Sequence, residues 1–235
     1  MNQSASRSAL QARLAEVNER IAAACQRGGR RREAVTLVAV TKTVTAEMAS
    51  LLPELGVWDI GESRPQELVR KAAALPATVR WHLIGHLQRN KIRLVLPLVH
   101  MIHSVDSWRL LTALEEQATA RRQAVSVLLE VNASREAAKH GFAPEELPEL
   151  APRLRELRFV QARGLMTMAA FAEDPERCRP TFAALRQWRD RLRSELTAPH
   201  QLEHLSMGMS NDFEIAIEEG ATMVRIGTIL WEGLP

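Results

Sequence analysis

Eight short apolar runs, each followed by a helix-like segment, recur along this chain, and that alternation limits the folds open to it more than any other feature. The first run, Thr36 to Lys42, is β-branched and apolar up to Val40 and then turns polar. Leu37, Val38, Ala39 and Val40 in succession describe a strand buried on both faces, as a parallel sheet requires. Further strands are predicted at 57–62, 79–85, 98–105, 125–131, 159–166, 201–206 and 221–227. Between them helices are expected at 45–55, 63–74, 86–96, from Asp106 or Ser107 to 122, at 135–157 with breaks at Gly141 and Pro144, at 175–196 and at 212–219. An amphipathic helix over about residues 8–27 comes first, its stripe made by Leu10, Leu14, Val17, Ile21 and Ala24 and its end by Gly28 and Gly29. No linker-like composition separates the units. The pattern therefore predicts one α/β domain over 1–235, a single (β/α)8 TIM barrel with an extra N-terminal helix. An open doubly wound sheet is the competing topology, because strand count does not show closure.

Composition narrows the function. The net charge of +3 comes from scattered arginines without a basic block, and aromatic content is 4%, a poor match to a nucleic-acid surface. Cys25 and Cys178 stand far apart, so neither a disulfide framework nor a zinc site follows. The sequence contains no apolar run of membrane-spanning length and no cleavable leader pattern, and Glu16 and Glu19 speak against a transit peptide. A soluble, cytoplasmic protein is expected.

In a barrel of this kind the active site lies at the C-terminal ends of the strands. Those ends carry Lys42, Glu62, Ser63, His86, Asp106, Asn132, Thr167, Met168, Ser206, Arg225, Gly227 and Thr228. Helix capping is the simpler account of Asp106 and Asn132. The last two units ask for more. Ser206-Met-Gly-Met-Ser210 supplies two hydroxyls and a glycine, and Gly227-Thr228 adds backbone N–H groups and another hydroxyl, the chemistry that holds phosphate after strands seven and eight. Lys42 at the end of strand one is either a solvated amine or one able to form a Schiff base with an aldehyde. A lysine opposite a phosphate cradle suggests pyridoxal 5′-phosphate, with Arg225 where a guanidinium would face the ring nitrogen. A rim salt bridge is the simpler role for that arginine.

Blocks of sequence along nearly the whole chain then match in order. They include Val38-Ala-Val-Thr-Lys42, Ile60-Gly-Glu-Ser-Arg64, Trp81-His-Leu-Ile-Gly85, Ile102-His-Ser-Val-Asp106, Gly164-Leu-Met-Thr-Met168, Leu205-Ser-Met-Gly-Met-Ser210 and Val224-Arg-Ile-Gly-Thr228. With these the chain resembles the pyridoxal phosphate homeostasis protein family, whose fold is similar to the N-terminal barrel domain of alanine racemases. The resemblance implies Lys42 as the Schiff-base lysine carrying the cofactor as an internal aldimine, and Arg225 at the pyridine nitrogen. It implies Ser206, Gly227 and Thr228 around the phosphate with Ser210 beside them, and Asn132 near the ring. Three departures stand out: Ser63 where the family has asparagine, His86 where proline or a small residue is common, and Trp231-Glu-Gly in place of a phenylalanine-glycine ending.

A racemase of this fold needs a second base on the opposite face of its substrate, supplied in alanine racemases by a tyrosine from another domain. This chain has no tyrosine, which leaves only His86, His82 or a partner subunit for that role. The expected function is a carrier that buffers or delivers pyridoxal 5′-phosphate with little or no turnover, acting as a monomer or weak dimer with cofactor-dependent apo-enzymes as recipients. A small cofactor-dependent racemase is the alternative, and a sugar-phosphate enzyme using Lys42 is a third reading.

Overall fold

A computed structural model describes residues 3–134, 136 and 140–234. Its strands are β1 (Thr36–Val40), β2 (Asp59–Glu62), β3 (Arg80–Leu83), β4 (Val99–Val105), β5 (Val125–Glu130), β6 (Val160–Met166), β7 (His204–Ser206) and β8 (Met223–Ile226), joined in chain order into a closed barrel. Every pairing is parallel, and β8 closes on β1 with Thr36 opposite Met223 and Ala39 opposite Ile226. Closure removes the open-sheet alternative.

The α-helices are α1 (Gln3–Arg27), α2 (Ala46–Ala49), α3 (Leu51–Glu54), α4 (Pro65–Ala72), α5 (Ile92–Val95), α6 (Trp108–Arg121), α7 (Leu147–Leu154), α8 (Arg179–Arg193), α9 (Phe213–Glu218) and α10 (Thr228–Trp231). The apolar stripe read from α1 is wholly buried, and the helix lies against α9 through bidentate Arg20–Glu214 contacts of 3.2 and 3.1 Å. Ser107 caps α6 by accepting from the Leu110 N–H. Among the described residues no helix is long and apolar enough to cross a membrane.

Two expected helices came out differently. Residues 86–88 are irregular, followed by a 3-10 turn at Arg89–Lys91 and the short α5, because Leu87 is drawn into the core while His86 bonds to Asp106. The helix expected from Arg135 to Leu157 begins only with Pro144. The preceding chain instead returns to β5, with Phe142 donating to the Glu130 carbonyl at 2.8 Å and Asn132 donating to that of Phe142 at 3.0 Å. Gly141, at φ 117°, makes that return, since a Cβ there would lie 2.9 Å from the Asn132 nitrogen. Residues 135 and 137–139 of the expected helix lie outside the described set.

Strand alternation points Val38, Met101, Leu128, Met166 and Met223 into the barrel, where they form a small apolar cluster. Polar groups share the interior. His82, His103, Ser206 and Arg225 are all buried there and are joined by hydrogen bonds.

Candidate functional site

The turn that carries Lys42 is pinned from both sides. Its side chain is exposed, just past the end of β1. The two carbonyls before it are held fast: Val40 accepts from the Trp231 indole at 2.7 Å, and Thr41 from the Lys71 ammonium at 2.6 Å. Lys71 also meets Glu62 at 2.6 Å, and Glu62 accepts from the Ser63 N–H at 2.7 Å. Both partners of this ion pair are fully buried. The Trp231 ending thus has a structural task, tying the C-terminal helix to the lysine turn. Sequence reading missed Lys71, although it falls on the buried face of α4 with Leu68, where a lysine is out of place.

Across the mouth, Arg225 rises from β8 and is buried. Its Nη1 donates to Ser206 Oγ at 2.6 Å and its Nη2 to the Thr167 carbonyl at 3.0 Å. Burial pushes the guanidinium down to about 10 against the opposing pull of Asp212 and Glu130, so it stays cationic at neutral pH. Burial pushes the Glu130 carboxyl up, and the Asp106 charge adds to the effect.

The loops after β7 and β8 hold donors that the protein leaves unused. The N–H groups of Gly208, Ser210, Gly227 and Thr228, and the hydroxyls of Ser210 and Thr228, make no hydrogen bond among the described residues. Gly208 sits at φ 93°, and a Cβ there would come within 2.6 Å of Ala216 Cβ, so the tight loop requires glycine. The Ser206 hydroxyl, expected beside a phosphate, is hydrogen-bonded to Arg225 and to His103. Asn132 donates to the Glu136 carbonyl within its own loop at 2.8 Å.

His82 is not available as a base at the mouth. It lies deep in the barrel, 2.9 Å from Asp59 and 2.8 Å from His103. His86 is exposed, 2.9 Å from Asp106 and stacked on His140 with centroids 5.0 Å apart.

Known proteins are similar to this chain in sequence and in fold. The alanine racemase N-terminal domain family matches residues 12–235. A pyridoxal phosphate homeostasis protein of Aquifex aeolicus is 44% identical over 220 residues, 93% of this chain and 96% of its own length. The chain belongs to the pyridoxal phosphate homeostasis protein family. Among solved structures, PipY of Synechococcus elongatus PCC7942 with PLP bound aligns with TM-score 0.81 and 33% identity, covering 94% of this chain and 99% of PipY. An alanine racemase of Clostridium difficile shares the fold at TM-score 0.77 and 17% identity, over 95% of this chain and 56% of the racemase. In this chain's barrel, the buried Lys71–Glu62 pair holds the backbone before Lys42, and Ser206 and the Thr167 carbonyl hold Arg225.

At the opposite, N-terminal end of the barrel, Arg80 Nε and Nη2 grip the two Asp59 oxygens, the first at 2.8 Å. Burial opposes ionisation, but hydrogen bonds from Arg80 and His82 together with their charges hold the Asp59 carboxyl well below its usual range. A depressed folded value contributes stability that is fully present above the unfolded value, about 3.9 for aspartate, and is lost as pH falls through the folded one. Asp59→Asn is therefore expected to flatten the acid side of the stability profile. Urea midpoints measured from neutral to strongly acidic pH check this, and an acid limb as steep as the native one would remove Asp59 as its source.

Proposed function

We propose that this chain binds pyridoxal 5′-phosphate at the barrel mouth, holds it covalently on Lys42, and buffers or delivers it inside the cell with little or no turnover. The observation that carries the reading is the set of unspent donors on the β7 and β8 loops, on the same rim as a buried arginine and an exposed lysine. The donor set fits the cofactor: four N–H groups and two hydroxyls suit a phosphate dianion, and Gly227 lets the chain pass close over Val40, which a Cβ would approach to 3.2 Å.

When bound, the cofactor supplies an aldehyde that reversibly captures one amine and a pyridine ring whose electron demand depends on its nitrogen. Lys42 provides the amine, on a turn whose backbone cannot drift because Val40 and Thr41 are anchored. Arg225 can only donate, so a ring nitrogen facing it is kept an acceptor and unprotonated. That arrangement weakens carbanion chemistry and suits storage. Ser210, Gly227 and Thr228 hold the phosphate, Ser206 steadies Arg225, and Asn132 shapes the β5 edge of the ring pocket.

Borohydride reduction of the yellow protein followed by peptide mapping tests the reading. The adduct belongs on Lys42, and an adduct on another lysine would overturn the assignment. Replacing Ser210 and Thr228 together by alanine is expected to weaken retention, each charge-assisted hydrogen bond being worth about 1.5–3 kcal/mol. Equilibrium dialysis of the double variant measures it.

The His86–Asp106 contact favours a second reading, a cofactor-dependent racemase of low activity. A carboxylate on Nδ1 orients the ring and leaves Nε2 to take a proton at the mouth. Sustained amino-acid racemisation abolished by His86→Ala would favour this reading over the carrier.

A further inference from the structure

Buried polar groups run unbroken through the barrel, from Asp59 near the N-terminal rim to Arg225 at the mouth. Asp59 Oδ1 lies 2.9 Å from His82 Nε2, His82 Nδ1 is 2.8 Å from His103 Nε2, His103 Nδ1 is 2.9 Å from Ser206 Oγ, and Arg225 Nη1 donates to that Oγ at 2.6 Å. No step of the proposed carrier function uses the two histidines. The charged and titratable groups facing them are Asp59 on β2, Arg80 on β3, His100 on β4, His204 on β7 and Arg225 on β8, with Glu130 and Asp212 facing Arg225 in turn.

The ends of this chain restrict its protons. Arg225 can only donate, and an ionised Asp59 can only accept, so His82 carries a proton on Nε2. Burial, reinforced by His82 and Arg225, keeps His103 neutral with a single N–H. Two arrangements satisfy every bond. With His82 neutral, His103 donates from Nε2 to His82, Ser206 donates to His103 Nδ1, and Ser206 accepts from Arg225; every proton has a partner. With His82 protonated, His103 accepts at Nε2 and donates from Nδ1, Ser206 accepts from both His103 and Arg225, and its own O–H is left free.

We propose that the Asp59–His82–His103–Ser206 chain is a proton switch behind the phosphate seat: an anion on the β7 and β8 loops selects the proton-loaded arrangement, in which Ser206 turns from a spent donor into a free one. The proposal rests on the cofactor reading above. A proton taken up from solvent at Ser206 Oγ lets Ser206 pass its own to His103 Nδ1, and His103 passes the Nε2 proton to His82 Nδ1. Each O–H or N–H bond that breaks is replaced, and the one added proton ends on His82 beside the Asp59 carboxylate. His103, His82 and Asp59 are thus positioning residues that act on the ligand through Ser206.

Sulfate tests this, since it is a dianion that carries no proton of its own near neutrality. Its affinity is read by competition with pyridoxal 5′-phosphate across pH, and the imidazole nitrogens of His103 are followed by NMR in nitrogen-labelled protein. One linked proton makes sulfate bind about tenfold more tightly for each pH unit of acidification on the alkaline side of the transition. His103 should move from the Nε2–H to the Nδ1–H form on binding, and Asp59→Asn should flatten the pH dependence. Competition that is independent of pH, or an unchanged His103 tautomer in the native protein, overturns the switch and leaves the cofactor reading standing. A profile in Asp59→Asn identical to the native one also overturns it. If sulfate does not compete at all, the phosphate seat lies elsewhere and both readings fall.

Discussion

Lys42→Ala should lose the visible absorption of the loaded protein completely, together with any adduct after reduction, while its urea midpoint stays close to the native one. The separation of these effects follows from where the residue sits. The Lys42 side chain is exposed and makes no hydrogen bond among the described residues, so removing it changes stability by less than about 0.5 kcal/mol, as for an ordinary surface substitution. The backbone that carries it does not depend on it, because Trp231 and Lys71 fasten the two preceding carbonyls. Lys42 is the lysine that this turn carries, between Thr41 and Thr43. A spectrum unchanged by the substitution would mean that the aldehyde is captured elsewhere, and a large loss of stability would mean that Lys42 has a packing role.

How much of this could be read from the chain depends on which residues announce themselves. The strands did, because parallel strands covered on both faces leave continuous apolar runs such as Leu37–Val40 and Val127–Leu129. β7 is shorter than expected because Leu202 takes φ 43° and the chain meets β6 regularly only from His204. Lys42 and Arg225 were legible since a lone charge at or near the end of an apolar strand stands out. The interior chain was hidden, although period-two alternation carries the signal: His82, His103, Ser206 and Arg225 occupy inward positions on their strands. What alternation does not reveal is which inward residues meet across the barrel, since that depends on register and shear. The unused donors on the last loops are likewise a property of the folded backbone, although Gly208 and Gly227 pointed to the place.

Lys71→Met is expected to destabilise the barrel severely, by about 3–5 kcal/mol. Lys71 and Glu62 are both wholly buried and lie 2.6 Å apart, so losing the ammonium strands a carboxylate in the interior with, among the described residues, the Ser63 and Arg64 N–H groups and weak hydroxyl contacts to oppose its charge. Against a typical total of about 5–15 kcal/mol, that is a large share. The double variant Lys71→Met with Glu62→Leu should be less damaged than the single one, because an apolar pair avoids the unpaired charge. It will not recover fully, since the Thr41 carbonyl and the Ser63 N–H both lack their partners in the double variant. Cofactor retention should fall in both variants as well, for the freed Thr41 carbonyl loosens the turn that aims Lys42. Urea unfolding of the native protein, both single variants and the double closes the cycle. A Lys71→Met cost below about 1 kcal/mol, or a double variant worse than the sum of the singles, would mean that the pair is not what holds the lysine turn in place.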